Sequence, residues 1–325
     1  MKVPYAFELF GFSVACNYGL PGLASVSVAS PDIVVTLGGV PSPAEMGGIA
    51  EELAHTSGAT MPSGEPALKL FRTQAGTNHL IYSDGTEFWL DPVAGRIWAR
   101  WPEILNLHDV STYLLGPVFG LFLRLRGVVC LHASAIALHE RAVLFLGDPG
   151  TGKSTTAAAM SKRGHPLIAD DIVRIMERDG KFFAIPAYPY VSLWPQSAEM
   201  ICGPDAKLPT LVPGFEKQRL APSAFQNSPL PIGTIFVLGE RLSGENLPRI
   251  EELPPRDQLL TLVANSYATR ILSEKARAEE FQLFGRMVGA IPIRHLLADS
   301  DPARLSTFCD FIEQDCNRLA APAFA

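Results

Sequence analysis

Over the first hundred residues, apolar and polar positions alternate in short runs. Residues 26–29, 33–37, 67–72, 79–82, 87–90 and 96–101 alternate or are rich in β-branched and aromatic side chains. Turn formers stand between them: Pro31-Asp32, Gly38-Gly39, Asp84-Gly85, and Asp91-Pro92 with Gly95. That pattern predicts strands joined by tight turns. Residues 41–64 are loop-rich, with at most a short helix near 44–54. The stretch 1–107 therefore reads as a separate, mostly β domain for stability, assembly or substrate docking.

From residue 106 the period lengthens. Residues 106–125 predict a helix leading into a second domain, 108–325. Two apolar runs, 128–138 and 141–146, predict a hairpin across His139-Glu140. A glycine-rich loop follows, then a helix over 155–163 ended by Gly164, and a strand over 166–169. Residues 172–177 and 181–185 flank Arg178-Asp179-Gly180 as a further hairpin. Residues 186–231 are dense in proline and weakly periodic; such a segment folds over an active site or serves as a structural loop. A core strand at 232–238, helix over most of 255–288, a strand at 291–297 and a helix at 301–319 complete the chain. Strands alternating with helices give an α/β class for this domain.

Composition narrows the function. The 325 residues carry 47% hydrophobic and 18% charged side chains, as a globular protein does. Net charge is −6, with no concentrated basic patch, which argues against a nucleic-acid partner. The most apolar helix, residues 113–123, stops at Arg124 and Arg126 and is too short to span a bilayer. Residues 1–12 lack the pattern of a signal peptide. The five cysteines, Cys16, Cys130, Cys202, Cys309 and Cys316, have no metal-binding spacing and read as reduced thiols. A cytoplasmic location without membrane contact is the expectation, and a homo-oligomer is left open.

The chemistry lies in Gly147-Asp148-Pro149-Gly150-Thr151-Gly152-Lys153-Ser154, which has the form of a P-loop or Walker A motif. The glycines let successive backbone N–H groups converge on phosphate without Cβ atoms in the way. Lys153 can then reach the β/γ-phosphates of ATP, and the Ser154 hydroxyl can hold Mg²⁺. Thr155 opens the helix whose positive end faces the phosphates. Fourteen residues after Lys153, Leu167-Ile-Ala-Asp170-Asp171 reads as a short strand ending in two acids. Adjacent residues of an extended segment point to opposite sides, so one acid can face Mg²⁺ and the other an acceptor. Spacing leaves open which is which; only the family resemblance described next, by giving Asp171 to the acceptor, assigns Asp170 to Mg²⁺ or its water shell.

Together the P-loop, then Lys162-Arg-Gly-His165, then Leu167-Ile-Ala-Asp-Asp-Ile-Val173 resemble the HPr kinase/phosphorylase family. These bacterial serine kinases have a P-loop core related to phosphoenolpyruvate carboxykinase. The resemblance implies that Asp171 is the base that takes the acceptor's proton and that His132, on the strand before the P-loop, orients it or relays the proton. His165 matches by type but reads as structural. The family's later acidic motif ahead of Arg-Gly-Leu-Gly has no counterpart; Tyr188 to Gln196 occupies that distance, with Glu199 the nearest acid. The resemblance is accordingly to the pared-down members that phosphorylate serine in ribosomal peptides, including lasso peptide precursors.

Lys217, Arg219, Arg256 and Arg270 are candidates for neutralising phosphoryl charge, with solvated surface cations as the default. The leading expectation is an ATP- and Mg²⁺-dependent kinase acting on a serine hydroxyl of a small protein or peptide. A slow regulatory ATPase and a small-molecule hydroxyl kinase are the alternatives.

Overall fold

The computed structural model describes residues 5–46, 51–58, 64–74, 76–212, 216–244 and 246–320. Two compact units divide the chain between Gly127 and Val128. The first is built on a mixed eight-stranded sheet: β1 (Tyr5–Leu9), β2 (Phe12–Cys16), β3 (Ile33–Leu37), β4 (Glu51–Thr56), β5 (Leu68–Thr73), β6 (Asn78–Tyr82), β7 (Glu87–Asp91) and β8 (Arg96–Arg100). Their order is 1-2-3-8-7-6-5-4, antiparallel except at β2–β3 and β3–β8. Alternation works as expected in β3, where Ile33, Val35 and Leu37 are buried and Val34 and Thr36 are not.

One hairpin in this unit was not foreseen, and two expectations are corrected. The chain enters through the β1–β2 hairpin, whose turn puts Phe10 and Gly11 at φ of 52° and 71°. A phenylalanine in that conformation gives no turn signal in sequence. Residues 26–29 form no strand; they run as a loop in which the Val26 N–H donates to the Ala6 carbonyl, 2.8 Å. The helix near 44–54 is only α1 (Pro43–Met46), and Glu51 onward is β4, paired with β5. Part of 41–64 lies outside the described residues.

The expected boundary at residue 107 falls at 127. Here α2 (Leu107–Tyr113), a π-helical turn (Leu114–Val118) and α3 (Phe119–Leu125) pack on the first sheet. Asn106 and Asp109 close a reciprocal cap at the start of α2. Tyr113 then donates to Asp84, 2.8 Å, Phe119 stacks on Phe10 at 5.9 Å, and Arg126 covers Phe12. An apolar helix goes with the sheet that buries it.

The second unit contains β9 (Cys130–Leu131), β10 (Ser134–Leu138), β11 (Arg141–Leu146), α4 (Lys153–Lys162), β12 (Leu167–Ala169), β13 (Val173–Arg178) and β14 (Lys181–Ile185). It continues with β15 (Val191–Leu193), α5 (Pro195–Cys202), β16 (Gln218–Leu220), β17 (Leu230–Leu238) and β18 (Arg249–Glu252). It ends with α6 (Pro255–Ala264), α7 (Glu274–Ala290), β19 (Ile293–Leu297) and α8 (Leu305–Ala320). At the centre β11, β17 and β19 run parallel; β10 and β18 flank them antiparallel, and β12, beyond β10, runs in the direction of the central strands. The first residues of β17 pair instead with β14, which leads to β13 and β9. The core joins Phe145, Phe236 and Ile136 of the sheet to Met160 of α4 and Phe308 and Ile312 of α8. This is a mixed α/β unit.

Two long predicted elements are broken, and both breaks matter to the site. The run 128–138 is two strands separated at His132-Ala133, because β9 pairs with β13 while β10 pairs with β11 and β12. The helical stretch 255–288 opens between α6 and α7. There Ser266 bridges to Leu131 and the Tyr267 N–H donates to the Cys130 carbonyl, 2.9 Å. The His139-Glu140 and Gly164 turns form at the expected places, with φ of 50°, 57° and 97°.

Candidate active site

The parallel strands β11 and β17 end side by side, and the loop 147–152 leaves β11 there to begin α4. Gly147, Gly150 and Gly152 have φ of 138°, 89° and 99°, which L side chains rarely adopt. A Cβ on Gly147 would also overlap the Leu238 carbonyl oxygen. A Cβ on Gly152 would lie 2.9 Å from a guanidinium nitrogen of Arg241, which arrives from the end of β17. Thr151 closes the loop on the Asp148 carbonyl, 2.9 Å. Asp148, Pro149 and Gly150 are exposed at its rim.

Lys153 is folded back beneath the loop. Its Nζ donates to the carbonyls of Gly147, 2.6 Å, and Asp148, 3.1 Å. Burial lowers its proton affinity, while the charges of Asp171, Asp170 and Asp148 pull the other way. The next residue, Ser154, is near enough to Asp170 for its hydroxyl to lower that carboxylate's proton affinity slightly. Thr155 turns away, donating to Ser197 of α5 at 3.0 Å.

Asp170 is buried at the end of β12. Ser134 donates to one of its oxygens, 2.6 Å, and the Ser192 N–H to the other, 2.9 Å. Burial raises its proton affinity in spite of these bonds. The two acids do face different ways, but through a turn and not through strand alternation. The Ile172 N–H reaches the Asp170 carbonyl, 2.8 Å, and Asp171 between them has φ 68°. Such a three-residue turn is strained by about 1–3 kcal/mol for a non-glycine residue, least for Asp or Asn, and strain of this kind gathers at functional sites.

This turn swings the Asp171 carboxylate to His132. The His132 Nε2 to Asp171 Oδ1 distance is 3.1 Å, and the two side chains keep 37% and 44% exposure. Protein crowding would raise the proton affinity of Asp171. The His132 hydrogen bond and charge, with the charges of Lys217 and Lys153, outweigh it, so the carboxylate titrates below its usual range. His132 faces Asp171 because its own N–H is taken by the Asn265 carbonyl, 2.7 Å. The Asn265 side chain accepts from the Gly147 N–H, 3.2 Å. One residue thus holds both the entrance of the loop and the histidine.

His132, Lys153, Ser154, Asp170 and Asp171 are therefore brought together. His165 stands apart against Glu313, 2.8 Å, as a structural residue. Arg256 and Arg270 are exposed on α6 and on the turn after it. Lys217 and Arg219 are not plain surface charges: Lys217 stands over Trp194 at 5.4 Å, and Arg219 is buried over Tyr190 at 4.6 Å. Tyr188 and Tyr267 are close enough to Asp171 for its charge to raise their proton affinity, after the larger effect of burial. Sequence reasoning passed over Tyr188, Arg241 and Tyr267 as site residues. The glycine that ends β17 and the polar break after α6 were the available signals.

Comparison with known proteins covers the heart of this arrangement. Residues 124–188 match the family model described as HPr Serine kinase C-terminal domain. This segment is HPr kinase-like. It holds His132, the P-loop and both aspartates; Lys217, Arg241 and Asn265 lie beyond it. The HPr kinase/phosphorylase of Clostridium tetani is 37% identical over 98 residues, 30% of this chain and 31% of that protein. That of Limosilactobacillus reuteri is 40% identical over 77 residues, 23% and 24% of the two chains. The chain thus matches less than a third of the length of these curated relatives. The solved Hpr(Ser) kinase/phosphatase from Coxiella burnetii aligns with 58% of this chain and 96% of its own at 15% identity and a TM-score of 0.30, from which nothing about the fold follows.

Proposed function

We propose that the second unit is an ATP-dependent phosphotransferase that moves the γ-phosphoryl group of ATP to a serine hydroxyl of a small protein or peptide. The observation that carries this is the His132–Asp171 pair, half-open to solvent, with the charge of Lys153 reaching the carboxylate. A hydrolase needs only a positioned water. A kinase needs a carboxylate poised to take a proton from an otherwise weak nucleophile, and Asp171 is such a group.

In the reaction, the phosphates of ATP lie on the loop N–H groups and the N-terminus of α4, with Lys153 on their charge. The acceptor hydroxyl loses its proton to Asp171 as its oxygen bonds to the γ-phosphorus, and the bond to ADP breaks. His132 holds Asp171 in orientation. Ser154 and Asp170 suit Mg²⁺: both offer hard oxygens, and a carboxylate whose burial raises its proton affinity gains from a cation. When bound, the metal supplies charge neutralisation at the phosphates. The relatives named HPr kinase/phosphorylase support a protein serine as acceptor; the Tyr188–Gln196 stretch in place of the expected acidic motif favours a different small protein or a ribosomal peptide precursor.

The test is transfer of labelled γ-phosphate to candidate peptides, read by intact mass with and without Mg²⁺. Stoichiometric phosphoserine supports the proposal. ATP consumed at the same rate with and without every acceptor, and no phosphopeptide, contradicts it.

A further inference from the structure

The phosphate loop has two different sides. The sheet runs β12-β10-β11-β17, with β19 beyond β17. Asp171 follows β12 and His132 precedes β10, so both stand on one side of the loop that leaves β11. On the other side end the parallel strands β17 and β19. A nucleotide whose γ-phosphate faces Asp171 carries its nucleoside at the far end of the phosphate chain. That end leaves the loop over β17 and β19. Open α/β sheets hold ligands in such places, outside the carboxyl ends of parallel strands.

A shallow cleft lies there. It is lined by Arg241 and Pro248 after β17, by Asp299 after β19, and by Arg304, Leu305 and Phe308 around the start of α8. Its space is about 230 Å³, open mouth included. Phe308 is buried, Leu305 half-buried, and Arg304 exposed at the rim. The two walls are tied together. The Leu242 N–H donates to the Ala298 carbonyl, 3.0 Å, and the Ser300 N–H to the Leu242 carbonyl, 2.8 Å. Arg304 donates to the Asp299 carboxylate, 3.0 Å. Arg241 joins the cleft to the loop. One of its guanidinium nitrogens donates to the Asp299 carbonyl, 3.4 Å, and the other terminal one lies 2.9 Å from where a Cβ on Gly152 would stand.

The lining suits a flat, uncharged ring. Leu305, Phe308 and the Pro248 ring offer apolar contact. Guanidinium planes such as those of Arg241 and Arg304 stack on aromatic rings. An open cleft receives such a ring against its wall rather than enclosing it. The acceptor hydroxyl belongs on the opposite side, where Asp171 takes its proton.

We propose that this cleft is the nucleoside site and holds the purine ring of ATP, with Arg241 at the junction between base and phosphates. This rests on the phosphotransferase reading above. Every lining residue lies outside the family-matched segment 124–188.

The experiment uses the full chain with Mg²⁺ and two ligands, measured by calorimetry. One is the non-hydrolysable ATP analogue AMP-PNP; the other is inorganic tripolyphosphate, which keeps the phosphates and lacks the nucleoside. Leu305→Trp fills the cleft. Arg304→Ala strips its rim, and loss of an exposed ion pair costs little stability. Leu305→Trp should bind AMP-PNP about 10- to 100-fold more weakly and Arg304→Ala about 3- to 10-fold, with tripolyphosphate affinity within about threefold of the parent in both. Photolabelling of the parent with 8-azido-ADP, mapped by mass, should mark residues 299–308. Label confined to residues 188–196 overturns the proposal. So do parental AMP-PNP affinity in both variants, equal losses for both ligands in Arg304→Ala, or a parent that binds tripolyphosphate as tightly as AMP-PNP. If Leu305→Trp does not fold, Arg304→Ala and the label decide. A parent chain that binds neither ligand overturns the phosphotransferase reading itself, and is distinguishable because it appears before any substitution.

Discussion

Replacing Asp171 with asparagine separates chemistry from architecture, because the two effects differ greatly in size. The backbone at residue 171 has φ 68°. Asparagine is as tolerant of that conformation as aspartate, so Asp171→Asn adds no strain, whereas Asp171→Ala adds about 1–2 kcal/mol. The lost partner is His132 at 3.1 Å, in a pair with more than a third of each side chain exposed. Pairs this open to solvent contribute about 0–1 kcal/mol. Melting should therefore move by no more than about 2–4 °C for a unit of this size. Loss of a positioned base should slow transfer about 10²- to 10⁴-fold, which is about 2.7–5.4 kcal/mol at 1.36 kcal/mol per decade.

The assay is single-turnover transfer from labelled ATP to a peptide acceptor, with MgATP affinity and melting temperature measured on the same preparations. Near-parental affinity and stability with a rate lower by at least a hundredfold is the expected result. Asp170→Asn should differ in kind, because Ser134 and Ser192 donate to different oxygens and an amide keeps only one acceptor, so one donor meets an NH₂ and metal dependence is disturbed together with rate. If Asp171→Asn transfers phosphate at the parental rate, the base is elsewhere and the argument from the strained turn fails.

Other substitutions probe the neighbouring parts. His132→Ala removes the main influence that lowers the proton affinity of Asp171, so the acid limb of the pH–rate profile, where the base becomes protonated, should move to higher pH; an unmoved limb would refute the pairing. Gly147→Ala places a Cβ on the Leu238 carbonyl at φ 138°, and should abolish ATP binding and lower the melting temperature; unchanged binding and melting would refute the close approach. Glu313 is held down to about 2 by Arg163 first and by His165, so its contribution is complete above about pH 4.5 and fades as pH falls toward 2. After allowance for solvent, Glu313→Gln should cost about 1 kcal/mol at pH 7, with the difference in urea midpoint shrinking below pH 4; a constant difference would show that charge is not involved.

Much of the second unit was legible because its signals are local. The P-loop needs glycines at set offsets, α4 must stop at Gly164, and both hairpin turns fall on residues with positive φ or on Asp-Gly. Legibility failed where a long-range partner decides the local structure. Residues 128–138 form one apolar run in sequence. They break at His132 because two different neighbours, β13 and β11, claim the two halves. Phe10 adopts φ 52° because the hairpin between β1 and β2 requires it, and nothing about phenylalanine announces that. The helix 107–125 was assigned to the wrong unit for the same reason: its apolar face was visible, but not which sheet would cover it.

The site divides along the same line. Residues held by the loop and the strand ends could be named from spacing, since β11, α4 and β12 follow one another within about thirty residues. Arg241 and Asn265 come from two later connections and meet the loop because β17 lies beside β11 and the break after α6 bridges to β9. In sequence each is a polar residue among many. For the two aspartates, strand alternation is an incomplete reason for their divergence. Strand alternation predicts opposite faces, but alternation alone would leave Asp171 free to slip with the register of β12. The three-residue turn fixes it instead: Asp170 is immobilised by Ser134 and Ser192, its carbonyl accepts from Ile172, and Asp171 has one direction left, toward His132. The histidine is fixed in turn by Asn265, which also holds Gly147. Loop and histidine are thus tied through one residue, the side chain and the carbonyl of Asn265, so a shift of one is shared by the other and their separation is preserved.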